Sequence, residues 1–162
     1  MVVRLATSQD RRSWDQFVSS SPSGSFLQSW AWGKFQHALG VPFWRLVAEH
    51  DGRPQAVALV IQRALLGRCW LYIPRGPHFA LPDGRATRGK PVVPQTTWQA
   101  LQDRLVDLAR LQQAAFVTID PSWIDEGGLV HRSFSEDGWR KAQREVQPRH
   151  TLVLDKIGRA HV

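Results

Sequence analysis

The sequence has one cysteine, one tyrosine, one methionine and no asparagine among its 162 residues. The single cysteine, Cys69, excludes an intrachain disulfide and predicts a reducing, cytoplasmic compartment. Cys69 lies in an apolar segment, which favours a buried, inert thiol over a nucleophile. No apolar run approaches the ~20 residues that span a bilayer, so no transmembrane segment is predicted. The first residues also lack the apolar core of a signal peptide.

Several signatures of catalytic and metal sites are missing as well. The six histidines have no ligand spacing, so no metal site is expected. No G-x-S-x-G nucleophile elbow occurs. Residues 84–90 match the start of a phosphate-binding loop, but Pro91 stands where a serine or threonine should bind magnesium. This stretch is predicted to be a flexible basic loop.

What is present suits one globular domain. Hydrophobic residues make up 43% of the chain, charged residues 22%, and eight tryptophans provide large surfaces to bury. The formal net charge of +7 favours a polyanionic partner such as nucleic acid, a nucleotide diphosphate or an acidic membrane surface. The basic residues are scattered, so ordinary surface charge is an equally good interpretation.

The hydrophobic pattern predicts the element order β-α-α-β-β-β-α-β-α-β, a mixed sheet with helices on both faces. The predicted strands are 2–6, 43–49, 56–61, 69–73, 116–119 and 150–155. Residues 74–94 are predicted to be a loop, and 97–112 the clearest helix. The helix after Ser29 places Ala31, Phe35 and Ala38 on one face, and a short helix after Ser133 is predicted to carry Trp139, Ala142 and Val146. This order is similar to the acyltransferase fold of GNAT-type N-acetyltransferases.

An acetyl-CoA enzyme of that fold needs a glycine-rich turn, between its fourth strand and third helix, whose backbone N–H groups hold the pyrophosphate. Here the connection begins Pro74-Arg-Gly-Pro77. Proline has no backbone N–H, so this turn lacks donors that such a cradle requires. The sequence therefore favours an acyl-transfer fold without the usual acyl-carrier site.

Four segments together resemble the FemABX family, the non-ribosomal peptidyltransferases that build peptidoglycan cross-bridges. They are residues 26–34, 71–77, 119–121 and 147–155. The resemblance implies that residues 1–155 form the first of two GNAT-like domains. Residues 156–162 back-translate to a common sequencing-adapter sequence, so we expect this tail to be non-native and the natural protein to continue past Asp155.

The resemblance also implies a reaction. The family moves an amino acid from aminoacyl-tRNA to the stem-peptide amine of a UDP-linked or lipid-linked peptidoglycan precursor. Aminoacyl-tRNA is then a co-substrate, no cofactor is needed, and the protein works in the cytoplasm, close to the membrane where the acceptor is lipid-linked. We expect this half to bind the acceptor and to be inactive alone.

Five residues are carried over as site candidates. Lys34 is similar to the lysine that contacts precursor phosphates, and Asp120 to the acidic residue that positions the acceptor amine. Arg75 in the Pro-Arg-Gly-Pro turn is a second candidate for phosphate. Tyr72 and Trp30 are candidates for substrate contacts, although strand and helix positions of this kind are more often core.

Two other functions stay open at this point. An acetyl-CoA-dependent N-acetyltransferase would agree with the fold order, and detectable CoA binding would favour it. A non-catalytic nucleic-acid-binding module would agree with the charge, and tight, salt-dependent RNA binding would favour that.

Overall fold

One mixed sheet organises the computed structural model, which describes residues 1–21, 23–80, 93–121, 134–143 and 146–147. The strands are β1 (Val2–Leu5), β2 (Phe43–His50), β3 (Arg53–Leu65), β4 (Arg68–Pro74), β5 (His78–Phe79) and β6 (Val117–Asp120). The helices are α1 (Arg11–Ser20), α2 (Trp30–Ala38) and α3 (Gln95–Leu111), with short 3-10 turns at Ser8–Asp10 and Phe26–Gln28. The mixed α/β architecture predicted from the sequence is confirmed.

The strands lie in the order β1-β2-β3-β4-β6, and β5 pairs with β3. Neighbouring strands are antiparallel except β4 and β6, which run parallel. A parallel pair needs a long crossover connection, and α3 supplies it. This crossover brings the carboxyl ends of β4 and β6 to the same edge of the sheet.

The sheet is covered on both faces, and β3 shows why. Its residues Ala56, Ala58 and Val60 belong to a core cluster with Trp98, Leu101, Leu105 and Leu108 of α3. The intervening residues Val57, Leu59 and Ile61 join a second cluster with Trp14, Val18 and Trp30 of α1 and α2. Successive side chains of a strand point to opposite faces, so an uninterrupted apolar run fits a central strand buried twice.

Helix α2 packs through a different face from the one its apolar residues suggest. Its buried residues are Trp30, Gly33 and Gln36, whereas Ala31, Phe35 and Ala38 are exposed. Gly33 allows this packing, because a Cβ there would collide with the Arg45 guanidinium on β2. The helix therefore approaches the sheet along its glycine.

Two sequence predictions need correction. The segment predicted to be a loop from residue 74 contains β5, whose residues His78 and Phe79 are buried because they pair with Val57 and Ala56. The short helix predicted to carry Trp139 and Ala142 is wrong: helical backbone ends at Glu136, and Gly138 turns the chain with a φ of 86°.

The last predicted strand, 150–155, and the predicted non-native tail lie outside the described residues. Within the described part of the chain, no helix is long and apolar enough to cross a membrane.

Candidate functional site

The candidate site lies where the parallel strands β4 and β6 end together. Their register sets Tyr72 opposite Thr118 and Pro74 opposite Asp120. Leu71 and Ile73 face the cluster against α3. Because side chains alternate along a strand, Tyr72 and Asp120 share the other face of the sheet.

Tyr72 and Asp120 are in direct contact at this edge. The phenol O–H of Tyr72 donates a hydrogen bond to Oδ2 of Asp120 at 3.3 Å. The side chain of Gln147 is close to the phenol and lowers its pKa. Burial raises the pKa of Tyr72 to about 12, because an ionised phenolate would lose its hydration there. Tyr72 therefore remains a protonated donor at neutral pH.

Arg75 follows directly after β4. Its backbone has a φ of 49°, in the left-handed region that most residues avoid, so the chain turns sharply at this point. The guanidinium is near enough to Tyr72 for its positive charge to lower the pKa of the phenol, although burial outweighs this effect. The strand end therefore combines a cation, a carboxylate and a neutral phenol.

Two of the predicted site residues are not joined to this group. Lys34 is exposed on α2 and, within the described part of the chain, forms no hydrogen bond or ion pair. Trp30 is only 8% exposed, and its ring covers the Arg45 guanidinium at 3.8 Å. This cation–π contact and a T-shaped contact with Trp14 place Trp30 in the core, and its contact with substrate stays a prediction.

Two polar residues at the site were not predicted. Gln147, whose side chain lowers the pKa of the Tyr72 phenol, comes just before a proline in the segment 147–155. Gln28 is completely buried and hydrogen-bonds the carbonyl of Pro74 at the end of β4. Both stand inside segments that carry the family resemblance, but a glutamine has no charge or titration to indicate a role in the sequence. Their partners are 75 and 46 residues away along the chain.

A cavity of about 840 Å³ runs along β6 among the described residues. Its wall is formed largely by apolar side chains, among them Leu105, Phe134 and Trp139. Asp137, which also lines it, accepts a hydrogen bond from the Trp98 indole at 3.0 Å. These groups pack against the core, and the cavity lacks the carboxylate–phenol pair, so we do not assign the chemistry to it.

The arrangement at the strand ends suits recognition of an amine. A carboxylate accepts hydrogen bonds from an ammonium or amine and can take up its proton. The Tyr72 phenol, held neutral, can orient that carboxylate. Arg75 directly follows Pro74, the last residue of β4. A ligand with both an amine and an anionic group would therefore match this edge of the sheet.

The comparisons with known proteins agree on the fold. A model of the FemAB family matches residues 10–129. The crystal structure of FemX is similar with a TM-score of 0.67 and 24% identity, over 85% of this chain and 32% of FemX. The chain therefore spans about a third of that protein. Comparison with curated protein sequences gives no match.

Acetyltransferases are similar over their whole length. The aminoglycoside antibiotic 6′-N-acetyltransferase AAC(6′)-IG from Acinetobacter haemolyticus has a TM-score of 0.59 and 14% identity, over 94% of this chain and 100% of its own. The ribosomal-protein-alanine N-acetyltransferase from Brucella melitensis biovar Abortus 2308 has a TM-score of 0.60 and 15% identity, over 93% and 100%. At these identities the likeness concerns the fold, which is GNAT-like.

Proposed function

This chain belongs to the FemAB family, and we propose that it binds the acceptor in an aminoacyltransferase reaction. In this proposal an amino acid moves from aminoacyl-tRNA to the stem-peptide amine of a peptidoglycan precursor. The observation that carries the assignment is the contact between Tyr72 and Asp120 at the end of the parallel strand pair. It puts a carboxylate beside a neutral donor at the end of two strands, where α/β folds tend to bind ligands.

The proposed reaction is the aminolysis of an ester. The amine of the acceptor forms a bond to the ester carbonyl carbon, the bond to the ribose oxygen breaks, and the proton that the amine loses is passed on to that oxygen, which leaves as a ribose hydroxyl. Only an unprotonated amine has the lone pair to attack, so a nearby base that accepts the proton lowers the barrier. Asp120 is the proposed acceptor of this hydrogen bond and proton. No covalent enzyme intermediate is required.

The remaining candidates have supporting roles. Tyr72, with a pKa of about 12, stays protonated and orients the Asp120 carboxylate toward the amine. Arg75 and Lys34 are proposed to bind the phosphates of the precursor, a task for which Arg is suited by its bidentate fork and Lys by its compact charge. Lys34 suits this because its ammonium is exposed.

We expect the 162-residue chain on its own to bind the precursor but not to transfer the amino acid. The chain spans 32% of FemX, and we propose that contacts with the tRNA are made by a second domain. Aminoacyl-tRNA is a cytoplasmic molecule and the proposed co-substrate, so the proposal places the reaction in the cytoplasm and needs no further cofactor.

Isothermal titration calorimetry with a UDP-linked muropeptide tests the proposal. We expect saturable binding that weakens on addition of salt, since phosphates are part of the ligand. The UDP-sugar without its stem peptide is the matched ligand control and should bind more weakly, because it lacks the amine. Equal affinity for both ligands would remove the amine from the proposed site.

The full-length similarity to acetyltransferases supports a second candidate, an acetyl-CoA-dependent N-acetyltransferase. Against it, Pro74 and Pro77 lack the backbone N–H donors that a pyrophosphate cradle would use. Titration of the same protein with CoA separates the two functions. Binding of CoA without binding of the muropeptide would favour the acetyltransferase.

A further inference from the structure

Gln28 occupies a gap in the sheet beside the candidate site. One edge of β3 pairs with β4 from Ile61 onward and with β5 at Ala56 and Val57. Between these two stretches, the strand residues 58–60 have no partner in either β4 or β5. Backbone N–H and C=O groups buried without partners destabilise a fold, so a buried gap of this kind needs other hydrogen-bonding groups.

The carboxamide of Gln28 supplies those groups. Its Oε1 accepts a hydrogen bond from the N–H of Leu59 at 2.7 Å, and its Nε2 donates to the carbonyl of Leu59 at 3.3 Å. The same Nε2 donates to the carbonyl of Pro74 at 2.6 Å. One side chain thus pairs with β3 as a strand residue would and also holds the last residue of β4.

The position of Gln28 is itself fixed. It ends the 3-10 turn Phe26–Gln28, where its N–H donates to the carbonyl of Ser25 at 2.9 Å. Its own carbonyl accepts a hydrogen bond from the Trp14 indole at 2.7 Å. The side chain is fully buried. A residue held at both its backbone and its side-chain amide can fix the groups that it contacts.

The turn after β4 is shaped to fit this carboxamide. A Cβ at Gly76 would lie 2.8 Å from Cδ and 2.9 Å from Nε2 of Gln28. Real Cβ atoms do not approach so closely, so only glycine allows the backbone to lie against the amide plane. Arg75 lies between these two contacts: Pro74 before it is hydrogen-bonded to Gln28, and Gly76 after it packs against Gln28.

We propose that Gln28 is a positioning residue for the acceptor site. By holding Pro74 and packing on Gly76, it fixes the turn that carries Arg75 and the strand end that carries Tyr72. The role rests on the proposed function of this site. Gln28 itself touches neither ligand nor reacting atoms and acts through the backbone of the turn.

Gln28→Met tests the proposal, because it keeps the length of the side chain and removes both polar atoms. The matched control is Leu108→Ala, which destabilises the opposite core cluster on α3. The first readout is the ¹³C ring signal of Tyr72, the only tyrosine, in the free protein. We expect this signal to shift in Gln28→Met and to stay unchanged in Leu108→Ala.

The second readout is the Kd for the UDP-linked muropeptide. We expect it to rise about tenfold in Gln28→Met, because the turn that carries Arg75 is no longer held in place for the ligand, and to stay unchanged in Leu108→Ala. A shifted Tyr72 signal in a protein that never binds the muropeptide would leave the positioning role standing and reject the proposed function. Muropeptide binding with an unshifted Tyr72 signal and an unchanged Kd in Gln28→Met would reject the positioning role alone.

Two further measurements cover the case in which Gln28→Met does not fold. Gly76→Ala presses on the same carboxamide from the opposite side and should shift the same Tyr72 signal. In the unmodified chain, the amide of Leu59 should exchange with solvent as slowly as that of Ile61, which is inside the β3–β4 pairing. Fast exchange at Leu59 would show that the bond to Gln28 does not persist and would overturn the inference.

Discussion

The phenol of Tyr72 donates to the carboxylate of Asp120 at 3.3 Å, between strands separated in sequence by the whole of α3. The contact exists because β4 and β6 are parallel and end at the same edge with Pro74 opposite Asp120. The proposed function places acceptor binding at this edge.

Asp120→Asn should weaken binding of the UDP-linked muropeptide about tenfold, because a charge-assisted hydrogen bond to the amine becomes a neutral one. Tyr72→Phe should weaken the same binding less, about fivefold, because the carboxylate loses an orienting donor but keeps its charge. Calorimetry on both variants measures the difference. Asp107→Asn, an exposed carboxylate on α3, is the matched control and should bind normally. Normal affinity in Asp120→Asn would remove Asp120 from the site.

Lys34→Ala should weaken muropeptide binding and also flatten its dependence on salt, because one cation that faces the phosphates is lost. The measurement is the Kd at two or more salt concentrations. Lys141→Ala removes an equal charge from an exposed position and should change neither quantity. The same loss of affinity in both variants would indicate a general effect of net charge and not a phosphate site at Lys34.

The free energy of unfolding should fall as the pH drops from 6.5 toward 4, because His78 is buried and its Nε2 has no hydrogen-bond partner in the described part of the chain. Burial lowers the pKa of His78 from 6.5 to about 4. Between these values the unfolded chain binds a proton that the folded chain does not, so acid favours unfolding, by at most about 3 kcal/mol.

Urea denaturation at a series of pH values measures this effect. His78→Gln should remove the pH dependence in that window, whereas His50→Gln at an exposed position should retain it. A pH dependence that survives in His78→Gln would assign it to another group.

A separate acid transition should arise from the N-terminal ion pairs. The Arg4 guanidinium contacts Asp10 and Glu49, and this contact holds the pKa of Asp10 well below its usual range. A lowered carboxyl pKa contributes stability above pH 4 and loses it as the pH falls further.

Asp10→Asn should therefore cost about 1 kcal/mol at neutral pH, a modest value because Arg4 is partly solvated. The loss should shrink in high salt and disappear in strong acid. Asp51→Asn, at a largely exposed carboxylate, should have no such effect. A loss in Asp10→Asn that is independent of pH and salt would indicate a steric cause.

The longer elements of the fold could be predicted because each has a repeating apolar pattern. β3 has an uninterrupted apolar run at residues 56–61, and α3 has its buried residues at helical spacing. β5 could not be predicted, since a two-residue strand has no period and exists only through its pairing with Ala56 and Val57. The buried face of α2 could not be predicted for a related reason. Its packing depends on the space that Gly33 leaves for Arg45, and the spacing of apolar residues does not reveal this space.

The candidate site was accessible from the sequence only in part. The resemblance named Tyr72, Arg75 and Asp120, and the fold brings Tyr72 and Asp120 into contact. The sequence left two roles open for Trp30, because an aromatic residue in a family segment can contact either a ligand or the core, and its 8% exposure favours the core. Gln28 was missed because its partners, Leu59 and Pro74, become neighbours only after the sheet forms.

The central claim is that a peptidoglycan precursor binds at the Tyr72–Asp120 edge, and the ring signal of Tyr72 is its most direct reporter. Only one tyrosine is present, so ¹³C-labelling of tyrosine yields a single residue's ring signals. We predict that these signals move in a saturable way as a UDP-linked muropeptide is added, and move much less in Asp120→Asn at the same concentrations. Unchanged tyrosine signals at muropeptide concentrations that saturate a calorimetric titration would contradict the account.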